Sequence, residues 1–200
     1  MAEITTELVK TLRERTGIGM MDCKKALQET GGDLEKAIDF LRKKGLSSIE
    51  KRAGRQATDG LVASYIHPGS RLGVLVEVNC ETDFVARTDE FQQFGKDVAM
   101  HIAAEQPLAV SRENLDPQMI EREREIYLEQ ARNEKKPDHI AAKIVEGRLE
   151  KYFQDVCLLD QAFVKNPDQT VRDLVAGLTA KIGEKISIRR FSCFRLGEDG

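Results

Sequence analysis

Tryptophan is absent from this chain, and aromatic residues make up only 6% of it. Single-stranded nucleic acid is held by successive aromatic platforms, so a chain this poor in rings is a weak candidate for that role. Basic excess is missing too. The formal net charge is -3 and the pI about 5.8, which argues against a generic DNA or RNA coat. Cysteine is scarce and scattered. Cys23, Cys80, Cys157 and Cys193 form no C-x-x-C pair and have no nearby histidine, so neither zinc spacing nor a secreted disulfide framework is present. The opening MAEITTELVK has no apolar signal core, and no apolar run is long enough to span a bilayer. There is no G-x-x-x-x-G-K-[ST] phosphate loop. A cytoplasmic protein without metal, cofactor or membrane contact is the expectation.

What is present is globular. Hydrophobic residues make up 40% and charged residues 32% of the 200-residue chain, enough for one ordinary domain or a small module plus a core. Charge is uneven: residues 1–56 hold 12 Lys/Arg against 9 Asp/Glu (+3), and residues 57–200 hold 19 against 25 (-6). Solvated faces account for both halves.

The first 45 residues read as three short helices. Leu8, Val9 and Leu12 form an apolar face behind Thr5 or Thr6 as N-cap, and Met20, Cys23 and Leu27 recur at helical spacing. Asp33 suits the cap of a third helix with the stripe Leu34, Ala37, Ile38 and Leu41, ended by Gly45. Residues 46–56, within LSSIEKRAGRQATDG, read as a linker. The period then changes to two. Leu61, Ala63 and Tyr65 alternate, HPGSR supplies a turn, and Leu72, Val74, Val76, Val78 and Cys80 continue, which predicts a hairpin. Phe91, Phe94, Val98 and Ile102 restore the helical period. The charge-rich stretch 116–156, broken at Pro137, predicts a helical hairpin; a further helix near Thr170–Ile182 and a strand in KISIRRFSCFRL complete the chain. The fold class is therefore α+β: a three-helix module (1–45), a linker (46–56), and a core (57–200) with a small antiparallel sheet on helices and a helical hairpin.

No constellation of catalytic residues emerges. Cys80 alternates onto a core face away from His67, and His101 and His139 lack metal-ligand partners at helical spacing. One stretch has no obvious local reason: the tetrad Thr82-Asp83-Phe84-Val85, where a strand gives way to a loop. In one reading Asp83 caps the loop and Phe84 and Val85 begin the next helix's core. In the other, Phe84 is an exposed anchor on a rigid corner.

Here the residues resemble a known family. LVKTLRERTGIGMMDCKKALQETGGDLEKAIDFLRKKGL (8–46) is similar to the N-terminal signature of bacterial translation elongation factor Ts. VEVNCETDFVARTDEF (76–91) resembles that family's second signature, and KIGEKISIRRFSCFRLGE its last strand and end. The resemblance implies a guanine-nucleotide exchange factor for GDP-bound elongation factor Tu, with no catalytic group of its own. It implies that the three helices form a ubiquitin-associated-like module contacting the partner, with Leu12, Gly19, Met20 and Met21 as contact residues. It implies that Thr82, Asp83, Phe84 and Val85 enter the partner's nucleotide-binding domain and help to dislodge its Mg²⁺. In short members a homodimer completes the recognition surface, which implies an interface through Phe191 and Cys193. The strand gives separate support: Ile186, Ile188, Phe194 and Leu196 share one face while Phe191 and Cys193 take the other, so both faces need cover. Two other classes stay open: a ubiquitin-associated-type scaffold, suggested by GIGMM, and an RNA- or ribosome-binding protein, suggested by RKKGLSSIEKRAGR.

Overall fold

The computed structural model describes residues 4–16, 18–52, 54–134 and 137–198. Three helices lead the chain: α1 (Thr6–Thr16), α2 (Met20–Glu29) and α3 (Leu34–Arg52). Their ends have local causes. Thr5 Oγ1 accepts from the Leu8 N–H at 3.3 Å, and Asp33 Oδ1 accepts from the Lys36 N–H at 3.1 Å, so both expected caps form. Gly31 and Gly32 take φ of 64 and 86, and the Gly32 N–H bonds back to the Leu27 carbonyl at 2.8 Å, which stops α2. Val9, Leu12, Cys23, Ala26, Leu27, Ala37 and Leu41 share one buried core.

The expected stop at Gly45 does not occur. Helix α3 runs on to Arg52, so residues 46–52 of the expected linker are helical. Gly45 instead faces α8 (Val171–Ile182): a β-carbon there would stand 3.4 Å from the Ala176 carbonyl oxygen. Beside it, Arg42 Nε donates to Asp173 Oδ1 at 2.7 Å. A glycine ends a helix only where the backbone turns left-handed; inside one it costs about 1 kcal/mol and permits close approach.

Strands β1 (Asp59–Ile66) and β2 (Leu72–Cys80) form the expected hairpin, and β5 (Ser187–Arg195) completes an antiparallel sheet of order β1-β2-β5. On β2, Val74, Val76, Val78 and Cys80 are buried while Leu75 is exposed, as alternation requires. Gly60 has φ 146, and a β-carbon there would come within 2.1 Å of the Val78 carbonyl oxygen, so only glycine fits.

After β2 come the single turn α4 (Asp83–Ala86) and α5 (Asp89–Glu105), whose expected stripe Phe91, Phe94, Val98 and Ile102 is buried throughout. Helices α6 (Pro117–Asn133) and α7 (Asp138–Val156) form the expected hairpin, with Asp116 capping α6 and Arg124 paired to Glu146 at 2.6 Å. An antiparallel pair, β3 (Ala162–Phe163) and β4 (Asn166–Thr170), was not expected; strands this short show no periodicity. The chain divides into two compact units. One comprises Met1–Val62, Glu77–Gly95 and Arg172–Ile188; the other comprises Ala63–Val76, Lys96–Val171 and Arg189–Gly200. Among the described residues, no helix is long and apolar enough to cross a membrane.

Candidate functional site

The tetrad stands where β2 leaves the sheet. Thr82 is still extended, with φ -131 and ψ 152, and its hydroxyl accepts from the Val85 N–H at 3.4 Å. That makes Thr82, not Asp83, the cap of α4. Asp83 pairs with Arg87 at 2.8 Å on the open surface. The next two residues part company: Phe84 is 78% exposed and Val85 is 6% exposed. A helical step turns the chain by about 100° per residue, so one neighbour anchors the turn while the other faces solvent. The expectation that both begin a core is therefore right for Val85 and wrong for Phe84. Burying a ring of this size yields about 1.5–3 kcal/mol, which Phe84 leaves unrealised in the free chain.

The corner is held from behind. Cys80 Sγ donates to the Thr82 carbonyl oxygen at 3.1 Å. Burial, aided by the nearby charge of Glu184, pushes the Cys80 thiol up to about 11, so it stays protonated and able to donate. Glu184 accepts three hydrogen bonds: from the N–H groups of Glu81 and Thr82, both 3.1 Å to Oε2, and from the Thr82 hydroxyl, 2.7 Å to Oε1. Thr88 Oγ1 then donates to the Val85 carbonyl at 2.8 Å and accepts from the Phe91 N–H at 3.3 Å, closing one turn and opening α5.

The other expected residues divide. Leu12 is fully buried in the module's own core, so the expectation that it contacts a partner is corrected: it cannot reach one without opening the module. Gly19, Met20 and Met21 are exposed at the start of α2. Cys193 is exposed and unbonded, and Phe191 is half-buried. Further along the strand, Phe194 and Leu196 are two-thirds exposed, whereas Ile186 and Ile188 are buried. Alternation had placed these four on one face; it does not tell where along the strand the cover ends.

Sequence reasoning passed over Glu184 and weighed His101 only as a metal ligand. An acid directly after a helix runs against the negative end of the helix dipole, and Glu184 following Lys181 and Gly183 carries that signal. His101 lies three residues past Val98 on the apolar stripe of α5, which implies burial with partners. It is fully buried, with Nε2 3.0 Å from Gln161 Oε1 and Nδ1 accepting the Val164 N–H at 3.2 Å.

Among the described residues, no group of three or more His, Cys, Asp or Glu is placed to hold a metal. What the corner presents is an apolar ring exposed on a turn fixed by hydrogen bonds. Comparison with known proteins gives the class of the chain as a translation elongation factor. The elongation factor TS family model matches residues 44–198. The chain is 62% identical over 195 residues to elongation factor Ts of Carboxydothermus hydrogenoformans, covering 98% of this chain and 90% of that one. It is 56% identical over 197 residues to elongation factor Ts of Syntrophobacter fumaroxidans, covering 98% of both. The chain belongs to the elongation factor Ts family. Membership implies a nucleotide exchange factor for elongation factor Tu in translation elongation.

Proposed function

We propose that this chain releases GDP from elongation factor Tu by inserting Phe84 as a wedge that disturbs the partner's Mg²⁺. The exposure of Phe84 on a braced turn is the observation that supports this reading. Magnesium demands near-octahedral oxygen coordination, so a small shift of its supporting loops weakens it greatly. No bond is made or broken by the chain itself, so no catalytic residue is required. Linkage sets the energetics: a factor that weakens GDP is weakened by GDP to the same degree, and the excess of GTP gives the direction. Gly19, Met20 and Met21 are proposed as a second contact, and the chain is expected to work in the cytoplasm without touching nucleic acid or membrane.

Stopped-flow release of a fluorescent GDP from elongation factor Tu tests the reading. Release should accelerate with this chain, and raising free Mg²⁺ should narrow the acceleration. A scaffold or an RNA-binding protein leaves the rate unchanged.

The division into module (1–45), linker (46–56) and core (57–200) is part of the proposal, with residues 46–52 of the linker continuing α3; the separate apolar core of the first three helices supports it. Deleting residues 1–45 should leave a folded core that binds the partner weakly. A homodimer through the face of Phe191 and Cys193 is proposed as well; Phe191→Asp should convert it to monomer in light scattering, with exchange falling in step.

A further inference from the structure

We propose that Glu184 is a positioning residue for Phe84: its carboxylate sets the direction of the corner, and GDP release reaches its full rate only while that brace holds. The proposal deepens the exchange reading above and rests on it.

A single turn of helix cannot hold its own direction, because nucleation fixes several dihedral angles for very few hydrogen bonds. Helix α4 has four residues, so its orientation is imposed from its flanks. The Thr82 cap is the nearest flank, and its bond from the Val85 N–H is long at 3.4 Å. A hydroxyl that accepts there must send its own proton elsewhere, and Glu184 Oε1 takes it at 2.7 Å. Glu184 thereby locks the rotor that caps the turn. Its other oxygen takes two successive amides, Glu81 and Thr82, so the peptide planes entering the turn are fixed too. Bonds to an ionised acceptor are the stronger kind.

The brace is reciprocal. Glu81 Oε1 accepts the Lys185 N–H at 2.6 Å, so each segment's carboxylate receives the other's backbone. Arg55 lies 3.3 Å from both Glu81 oxygens, and Lys185 Nζ donates to the Arg55 carbonyl at 2.8 Å, which closes the ring. Gly183, at φ 85, ends α8 and aims Glu184 at the corner. All of this ends at a ring that is 78% exposed and adds little to the fold. Fixing a docking group before it docks removes an ordering cost from the bound state.

The test is GDP release from elongation factor Tu at increasing concentrations of the full chain, with Glu184→Ala, Glu184→Gln, Phe84→Ala and the double alanine variant. Glu184→Ala should lower the maximal rate about tenfold and move the half-saturating concentration by less than about threefold. Glu184→Gln should recover most of the rate, because its amide oxygen can keep the two backbone N–H bonds while its NH₂ donates to the second lone pair of the Thr82 hydroxyl, whose own proton then turns to water. The double variant should be no slower than Phe84→Ala alone, and amide exchange at Thr82 and Val85 should quicken in Glu184→Ala while the core of α1–α3 stays protected. If Glu184→Ala does not fold, Thr82→Val takes its place, since it removes the hydroxyl that Glu184 holds. A maximal rate at the wild-type level in the folded variant, or losses that multiply in the double variant, overturns the proposal. If Phe84→Ala slows release and Glu184→Ala does not, only the positioning role is wrong. If Phe84→Ala itself keeps the rate, the exchange reading fails at the tetrad and this proposal fails with it.

Discussion

At the corner after β2, Glu184 holds the amides of residues 81 and 82 and leaves an aromatic ring in solvent; around His101, a network of similar size keeps His101, Gln161 and the neighbouring ring of Phe163 buried. His101 Nδ1 accepts the Val164 N–H, which places the ring proton on Nε2, where it donates to Gln161 Oε1. Gln161 Nε2 in turn donates to the carbonyls of Asp155 at 2.8 Å and Glu105 at 3.4 Å. Both clusters join segments distant in the chain. One ends on Phe163, whose ring centroid is 5.8 Å from that of His101; the other ends on Phe84, which touches solvent. The same kind of polar chemistry therefore serves cohesion where its apolar neighbour is buried, and presentation where that neighbour is bare. Stability and exchange should separate accordingly.

The largest effect is expected at the buried cluster. His101→Ala removes a filled, doubly bonded ring and strands Gln161 Oε1 and the Val164 N–H, which should cost about 2–4 kcal/mol in denaturant unfolding. GDP release at a temperature where the variant is folded should stay at the wild-type rate. A variant that keeps its stability but loses exchange would dissolve the contrast.

Phe84→Ala is the converse. Exchange should fall more than about tenfold, which corresponds to roughly 1.4 kcal/mol, while unfolding free energy drops by less than about 1.5 kcal/mol against the 3–5 typical of a buried Phe. Collapse of stability together with activity would mean that the ring is packed in solution.

These two residues also mark how far the sequence could be read. Helical stripes and alternation located the helices around Leu27 and Phe91 and the hairpin through Val76, because burial repeats with the period of the element. Gly45 misled because the same residue ends helices and lets them touch. Phe84 and Val85 were inseparable on paper, since a turn of four residues has no period. Glu184 and Thr82 meet across 102 positions, a pairing no local pattern encodes. Family resemblance singled out the tetrad; nothing in the sequence singled out its brace.

A smaller effect follows from acid. Burial holds the His101 imidazole below its ordinary pKa, against the opposing pull of Gln161 and the Glu105 carboxylate. The unfolded chain binds the proton more readily than the folded one. Stability from this group is therefore complete above about pH 6.5 and declines as pH falls below that value, until the native imidazole itself protonates. Unfolding free energies at pH 7.5 and 5.5 should differ more for the wild type than for His101→Ala. Equal slopes would remove the histidine from the account of this cluster.

The smallest effect belongs to the corner's own ion pair. Asp83 and Arg87 lie one helical turn apart at 2.8 Å, with side chains 65% and 80% exposed. Water screens such a pair and its partners lose rotamer freedom, so Arg87→Ala should cost under about 0.5 kcal/mol, less still in salt. The orientation of Phe84 does not pass through this pair, because Thr82 rather than Asp83 caps the turn. Exchange by Arg87→Ala should accordingly stay near the wild-type rate at moderate salt. Asp83→Ala is the sharper variant: its stability should match that of Arg87→Ala, so any further loss of exchange comes from what the carboxylate meets on the partner. If instead Arg87→Ala alone slows release as much as Phe84→Ala does, the corner is steered from its exposed side, and the division between a braced back and a free front no longer holds.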